Sequence, residues 1–371
     1  MERILHIVGR MDRAGAETMI MNLYRAIDRK NFQFDFLYFT GEVCDYDHEI
    51  ELLGGKIYRL PSEEFSNPLK KMLAVNQFLK KENHIKTIHC HMLLSSGFHL
   101  LAAYLAGVKK RIVHSHSTSN KNNRKAIYNL PYKKLSQVLI NNLATQFIAC
   151  GKEAGSFLFP YRKKFIVLPN AIDTALFNEI GKKKSSFLRD LLKIPRETLI
   201  IVQVGRFNHI KNHSFTLKLA RFMKEQNKDF HFVFVGNGSL LKEFQDKSRK
   251  DGLKNNLSFL GLREDIPEIL AGSDVMILPS LHEGFPVVLV ESQSVGIPAI
   301  VSNTVSNEVD LGVGLITFRS LNSSLQQWCD DLFAVQKKSW MNEQKRLEII
   351  KKSGFDIQSS SKKIEAIYSA E

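Results

Sequence analysis

Long apolar runs are missing from this 371-residue chain. No stretch of 18 or more uncharged apolar residues occurs, which excludes a transmembrane helix of ordinary length. Cysteine is scarce: Cys44, Cys90, Cys150 and Cys329 stand apart with no CxxC pair. That spacing argues against a disulfide framework or a cysteine-rich zinc site, and for a reduced cytoplasmic protein. The opening Met1-Glu2-Arg3-Ile4-Leu5-His6-Ile7-Val8-Gly9 enters a strand pattern at once and lacks the features of a signal peptide. Acidic residues are absent from 83 to 152, a stretch that carries Lys109, Lys110, Arg111, Lys121, Arg124, Lys125, Lys133 and Lys134. The net charge of +14 is uneven, with 25 basic and 15 acidic residues up to 175 and 27 and 23 beyond. Such a field attracts polyanions or an anionic membrane surface, a solvated basic face being the plainer alternative. No recognition helix, aromatic-laced sheet motif or basic tail accompanies it, so nucleic acid is not an expected partner.

What the chain does have is an alternation of strand-length apolar runs with helical periodicity. In the first half the strand candidates are Ile4–Val8, Phe34–Tyr38, Lys56–Leu60, Thr87–His89, Arg111–His114, Gln146–Ala149 and Phe165–Leu168. Ile20, Leu23, Tyr24 and Ile27 mark one helix face between the first two. The lysine- and serine-rich segment from Asn178 to Pro195 reads as a separator. Leu199–Val204, His231–Val235, Leu257–Leu260, Val275–Leu278, Ala299–Val301 and Leu315–Phe318 form a second series. The pattern predicts an α/β protein of two doubly wound, parallel-sheet domains, residues 1–175 and 176–350, with 351–371 as a helical tail. Ile364, Ile367 and Tyr368 give that tail an apolar stripe that needs a surface to bury.

Glycines and charges gather where strands end. Val275–Leu278 is followed by Pro279-Ser-Leu-His-Glu-Gly-Phe-Pro286, and then by a helix expected to start at Pro286 and end before Gly296. Glu283 falls in the loop, and Glu291 about one and a half turns into the helix. Carboxylates accept from sugar hydroxyls, and a helix N-terminus offers amides to phosphate. Val204-Gly-Arg-Phe-Asn-His-Ile-Lys-Asn212 places Gly205, Arg206 and Lys211 beside a helix start, suited to a diphosphate. Val235-Gly-Asn-Gly-Ser239 and Leu260-Gly-Leu-Arg263 end the neighbouring strands. Gly9 and Gly15 flank the first strand-to-helix turn, but their spacing is not the dinucleotide GxGxxG. His89-Cys-His91 and His114-Ser-His116 have the spacing of metal-ligand pairs. No further ligand set is visible in the sequence, so no metal is assigned. Asp45-Tyr-Asp47 matches a metal–nucleotide motif of a different architecture and is discounted as a short match in a polar loop.

Together these motifs resemble the retaining family-4 glycosyltransferases of the GT-B fold. The residues that carry the likeness are Glu283-Gly-Phe-Pro286 with Glu291, Val204-Gly-Arg-Phe207 with Lys211-Asn212, Pro169-Asn-Ala-Ile-Asp173, and Gly15-Ala-Glu17. Arg111-Ile-Val-His-Ser-His-Ser117 is similar to the capsule and exopolysaccharide branch. The resemblance implies two Rossmann-like domains facing across a cleft, with the C-terminal helix returning to the first. It implies transfer of a sugar, UDP-linked by expectation, to a hydroxyl of a glycan or lipid-diphosphate-linked acceptor, without a metal. Arg206 and Lys211 would hold the diphosphate, Glu291 the ribose hydroxyls, and Glu283 the transferred sugar. Gly205, Gly284, Phe285, Pro286, Asn237 and Leu262 would line the donor subsite. From the first domain Gly15 would approach the phosphate, His116 would reach the donor sugar with His114 as second choice, and Asn170 would stand at the crossing. The chain departs from the family at Ala14-Gly15, where a glycine pair is common, and at Asn303-Thr-Val-Ser-Asn-Glu308, so Glu308 receives no role. The enzymatic alternative is a nucleotide-sugar epimerase on the same fold; the non-enzymatic one is a basic nucleic-acid-binding protein. A place at the inner membrane face is expected for an enzyme with a lipid-linked acceptor.

Overall fold

The computed structural model describes residues 1–61, 67–117, 130–162, 164–283, 285–335 and 341–370. The chain forms two compact units, Met1–Ala171 with Ile357–Glu371, and Ile172–Asp356. The first crossing therefore falls at Ala171/Ile172, and the return at Asp356/Ile357.

The first unit contains β1 (Glu2–Ile7), β2 (Phe32–Tyr38), β3 (Ile57–Arg59), β4 (Thr87–Cys90), β5 (Lys110–Ser115), β6 (Gln146–Ala149) and β7 (Ile166–Val167). They form one parallel sheet in the order β3-β2-β1-β4-β5-β6-β7. Alternate residues face opposite sides of a strand, so each strand feeds two cores. Ile4, Ile112 and Ile148 pack with the helix Gly15–Ala26 and with Ile364, Ile367 and Tyr368 of the final helix, Ile357–Ser369. Leu5, Ile88, Cys90 and Val113 face the other way, toward helices Pro68–Lys81, Ser96–Leu105 and Leu130–Leu143. The apolar stripe of the tail thus finds its surface on this unit. Burying each such side chain stabilises by about 1.5–3 kcal/mol.

The second unit contains β8 (Leu199–Val204), β9 (Phe230–Val235), β10 (Leu257–Phe259), β11 (Val275–Leu278), β12 (Ala299–Ser302) and β13 (Ile316–Arg319), parallel in the order β10-β9-β8-β11-β12-β13. The segment expected to separate the domains is not a linker. It contributes to the helices Thr174–Lys183 and Phe187–Leu192, with Leu188 fully buried and Arg189 paired to Asp274 at 2.8 Å. Its lysines and serines form the outer face of packed helices, which composition alone does not distinguish from a tether.

Candidate active site

Each sheet reverses its strand order once, between β1 and β4 in the first unit and between β8 and β11 in the second. Ligands of open parallel sheets bind at the carboxyl ends of the strands beside such a reversal.

At the β8/β11 reversal the loops after β8, β9, β11 and β12 are tied together. After β8, Gly205 has φ 154°, and a Cβ there would lie 2.9 Å from Lys211 Cε, so glycine lets the lysine chain lie across the backbone. Gly236 after β9 sits closer still: a Cβ would meet Gly205 O at 2.2 Å. Buried Gln203 accepts from Thr216 Oγ1 at 2.7 Å and donates to Lys211 O at 2.9 Å. Asn212, left-handed at φ 52°, donates from Nδ2 to Pro279 O at 3.0 Å, while the Leu281 amide donates to Ile210 O at 2.8 Å. On the far side, Ser302 and Thr304 hydroxyls each donate to Ser280 O at 2.6 Å, and Glu283 bridges to Val305.

This scaffold positions Lys211 Nζ 2.8 Å from Glu283 Oε1, both side chains largely covered at 17% and 15% exposure. Arg206 is exposed and has no acidic partner among the described residues. A cation already paired and a cation left open stand one turn of loop apart, an arrangement that receives an anion without first stranding a buried charge. Phe285 stacks on Phe355 with centroids 5.0 Å apart, and Pro286 is buried. Gly284 lies outside the described residues. Asn237 is exposed, and its backbone carbonyl accepts from the Phe207 amide at 2.9 Å. Leu262 is 56% exposed, and neighbouring Arg263 is held by Asp265 at 2.6 Å.

The helix after β11 begins later than the sequence suggests, at Val288 rather than Pro286. The bends of 286 and 287 close as tight turns, with the Leu289 amide on Pro286 O and the Val290 amide on Val287 O. Glu291 therefore lies in the first helical turn, not one and a half turns in. It is partly buried, and desolvation pushes its carboxyl up to about 7. No side chain caps the helix start.

At the β1/β4 reversal the first unit presents imidazoles instead. The register pairs His6 with His89, and carries His91 opposite His114 beyond the strand end. Because i and i+2 share a face, His6, His89, His91, His114 and His116 all line the same side. His6 Nδ1 lies 3.0 Å from His91 Nε2, and His91 Nδ1 lies 2.8 Å from His116 Nε2. His89 Nδ1 meets the Tyr368 hydroxyl at 2.8 Å. Desolvation pushes all five rings down, His6 to about 3 and His116 to about 4, with mutual repulsion adding to the shift at His89, His91 and His114. The two His-x-His pairs set aside in the sequence thus come together, and His6 joins them unannounced. Its signal was its parity on β1, two residues before the strand-end Val8. Gly15 is exposed as the first residue of its helix, with open space where a Cβ would go, so packing does not demand glycine there. Asn170 is buried with Oδ1 unpartnered. The acidic pair discounted earlier is structural: Asp45 accepts from the Arg13 amide at 2.9 Å, and Asp47 pairs with Arg59.

Comparison with known proteins follows this division. Residues 13–176 match the model "Glycosyltransferase Family 4" and residues 185–311 match "Glycosyl transferases group 1". A putative glycosyltransferase of Bacillus subtilis, EpsF, is 40% identical over 89% of this chain and 87% of its own. An Escherichia coli UDP-Gal:alpha-D-GlcNAc-diphosphoundecaprenol alpha-1,3-galactosyltransferase is 32% identical over 64% of this chain and 63% of its own. Among solved structures, Anabaena HepE in complex with UDP superimposes with a TM-score of 0.73 over the full length of both chains, at 17% identity, a likeness of fold. These matches are to glycosyltransferases, and the epimerase alternative finds no support in them. Two parallel-sheet Rossmann-like units, the matched models and the extended identity to EpsF establish that the chain is a transferase belonging to the GT-B glycosyltransferases of family 4.

Proposed function

We propose that this enzyme transfers a sugar from a UDP-sugar to a hydroxyl of a lipid-diphosphate-linked glycan, with retention of anomeric configuration, in surface polysaccharide synthesis. The observation that carries the reading is the glycine-lined β8 end with exposed Arg206 beside the Lys211–Glu283 pair. Departure of a nucleoside diphosphate from an oxocarbenium-like centre is the barrier, and preorganised cations at the leaving oxygens lower it. Arg206 and Lys211 fill that role here without a metal. Glu283, released from Lys211 by the incoming phosphate, accepts from hydroxyls of the transferred sugar. Glu291, whose carboxyl desolvation raises to about 7, takes the ribose in its ionised form. Gly205, Phe285, Pro286, Asn237 and Leu262 shape the donor subsite. Gly15, Asn170 and His116 belong to the reading through the family likeness.

The donor and acceptor classes are those named for the galactosyltransferase relative, and UDP is bound by the structural neighbour. A peripheral place at the inner membrane face follows from such an acceptor. The basic residues Lys121, Arg124 and Lys125, with Ile127 and Tyr128, lie outside the described residues. On the helix Leu130–Leu143, Lys134, Leu130 and Leu135 are exposed, and Lys133 reaches over the Phe157 ring at 4.9 Å. No helix among the described residues is long and apolar enough to cross a membrane.

The test is a product assay with purified protein, a panel of UDP-sugars, and N-acetylglucosamine on a polyprenyl diphosphate. One sugar added with retained anomeric configuration is expected for one donor. An altered sugar from donor alone, inversion, or inertness with the whole UDP panel beside transfer from another nucleotide sugar overturns the respective part of the reading.

A further inference from the structure

The histidine cluster of the first unit has a hydrogen-bonding deficit that the transfer reaction does not explain. A neutral imidazole carries one N–H and one lone pair, and each wants a partner when buried. Of the ten ring nitrogens of His6, His89, His91, His114 and His116, five have none: His6 Nε2, His89 Nε2, both of His114, and His116 Nδ1. Each unsatisfied buried group is destabilising, because it has given up water without gaining a partner. His114 is the sharpest case, fully buried with both nitrogens unpartnered.

We infer that His91, His114 and His116 form a binding site for one divalent transition-metal ion of the zinc class. One ring nitrogen from each lies within 4.8 Å of the others. Tetrahedral imidazole ligands stand about 3.3 Å apart at ordinary Zn–N lengths, so closing on the ion requires side-chain shifts of about 1 Å. Three imidazoles and no acid suit zinc, copper or nickel and disfavour magnesium or calcium, which take oxygen ligands. Burial keeps the rings neutral and their lone pairs free. A second trio, His6, His89 and His91, meets the same distance condition but includes two fully buried rings. His91 and His116 are partly exposed beyond the ends of β4 and β5, which gives an ion a way in from solvent. With the ion on His91 Nδ1, the same ring donates from Nε2 to His6 Nδ1, the outer hydrogen bond that orients a metal-bound histidine. Cys90, between His89 and His91, packs on the opposite face of the sheet and supplies no thiolate. Three protein ligands leave a position for water or a substrate oxygen. The ion ties the end of β4 to the end of β5.

The test uses the full chain without a histidine tag, stripped with chelator and desalted. Calorimetric titration with ZnCl₂ is expected to give one equivalent with a Kd below roughly 1 µM, and a melting temperature raised by several degrees at excess zinc. CoCl₂ is expected to give the intense visible bands of a four-coordinate nitrogen site. His114→Asn and His116→Asn should each weaken zinc at least about 10-fold, while His89→Asn and exposed His48→Asn leave it within about 3-fold. Absence of stoichiometric zinc, a weak octahedral cobalt spectrum, or loss with His89→Asn but not His114→Asn overturns the assignment. The cobalt spectrum of the unmodified protein decides the matter even where a variant fails to fold, and none of the readouts depends on sugar transfer.

Discussion

The two sheets place opposite chemistry at the same topological position. At the β8/β11 reversal the strand ends carry charge, with Lys211 paired to Glu283 and Arg206 open to solvent. At the β1/β4 reversal they carry five imidazoles that burial keeps neutral. The difference lies in what covers them. Glycines after β8 and β9 leave backbone close to solvent and room for a lysine chain, so charge survives. In the first unit the final helix lays Tyr368 against His89, and desolvation removes the charge. A site that keeps its ions suits the proposed diphosphate; a site that expels charge suits the proposed metal, to which it offers lone pairs.

The largest expected effect breaks the charged side. Arg206→Ala should lower turnover on the order of 10²–10³-fold. Because the side chain is exposed, its cost in stability should stay within about 0.5 kcal/mol. Lys211→Ala should lose turnover similarly, but also about 1–3 kcal/mol of stability, since Glu283 is left largely covered and unpaired. Turnover with cognate donor and melting curves on the same preparations separate the two. Wild-type turnover in Arg206→Ala would remove the phosphate role.

The neutral side should respond in stability rather than rate. Tyr368→Phe deletes the hydroxyl 2.8 Å from His89 Nδ1 and leaves a further imidazole nitrogen unpartnered. A loss of about 1–2 kcal/mol is expected, a few degrees of melting temperature, with turnover unchanged. A turnover defect without a stability defect would extend the donor-side role proposed for His116 to the buried histidines behind it and blur the contrast.

Much of this was legible in the residues. All thirteen strands among the described residues fall within two or three residues of their apolar runs, because parallel strands buried on both faces read as continuous hydrophobic sequence. Gly205, Arg206, Lys211 and Glu283 were legible as strand-end motifs. The Lys211–Glu283 contact was not, since it depends on β8 lying beside β11, a fact of sheet order. The gathering of His6 with the two His-x-His pairs failed to show for the same reason: β1, β4 and β5 are distant in sequence and adjacent only in the sheet. Local signals also misled where two of them competed. Pro286 favours a helix start, yet the turns at Pro286 and Val287 delay the helix to Val288 and move Glu291 into its first turn.

The smallest effect sharpens the comparison, because Glu291 is the one group of the charged side that behaves like the neutral side. Desolvation raises its carboxyl from an ordinary 4.5 to about 7. The folded protein therefore holds the proton more tightly than the unfolded chain does. The associated stability is complete below pH 4.5 and is lost as pH rises through 7. Glu291→Gln stays neutral throughout. The variant should match wild type near pH 4.5, and exceed it by about 1–3 kcal/mol at pH 8, a difference readable in melting curves at the two values. UDP binding should run the other way. On the proposed ribose role, ionised Glu291 accepts from the hydroxyls, so wild-type affinity is expected to rise between pH 6 and 8, while that of Glu291→Gln is expected to be weaker and flat over the same range. A stability gap that does not change with pH would show that the carboxyl is not desolvated, and would return Glu291 to the company of Lys211 and Glu283.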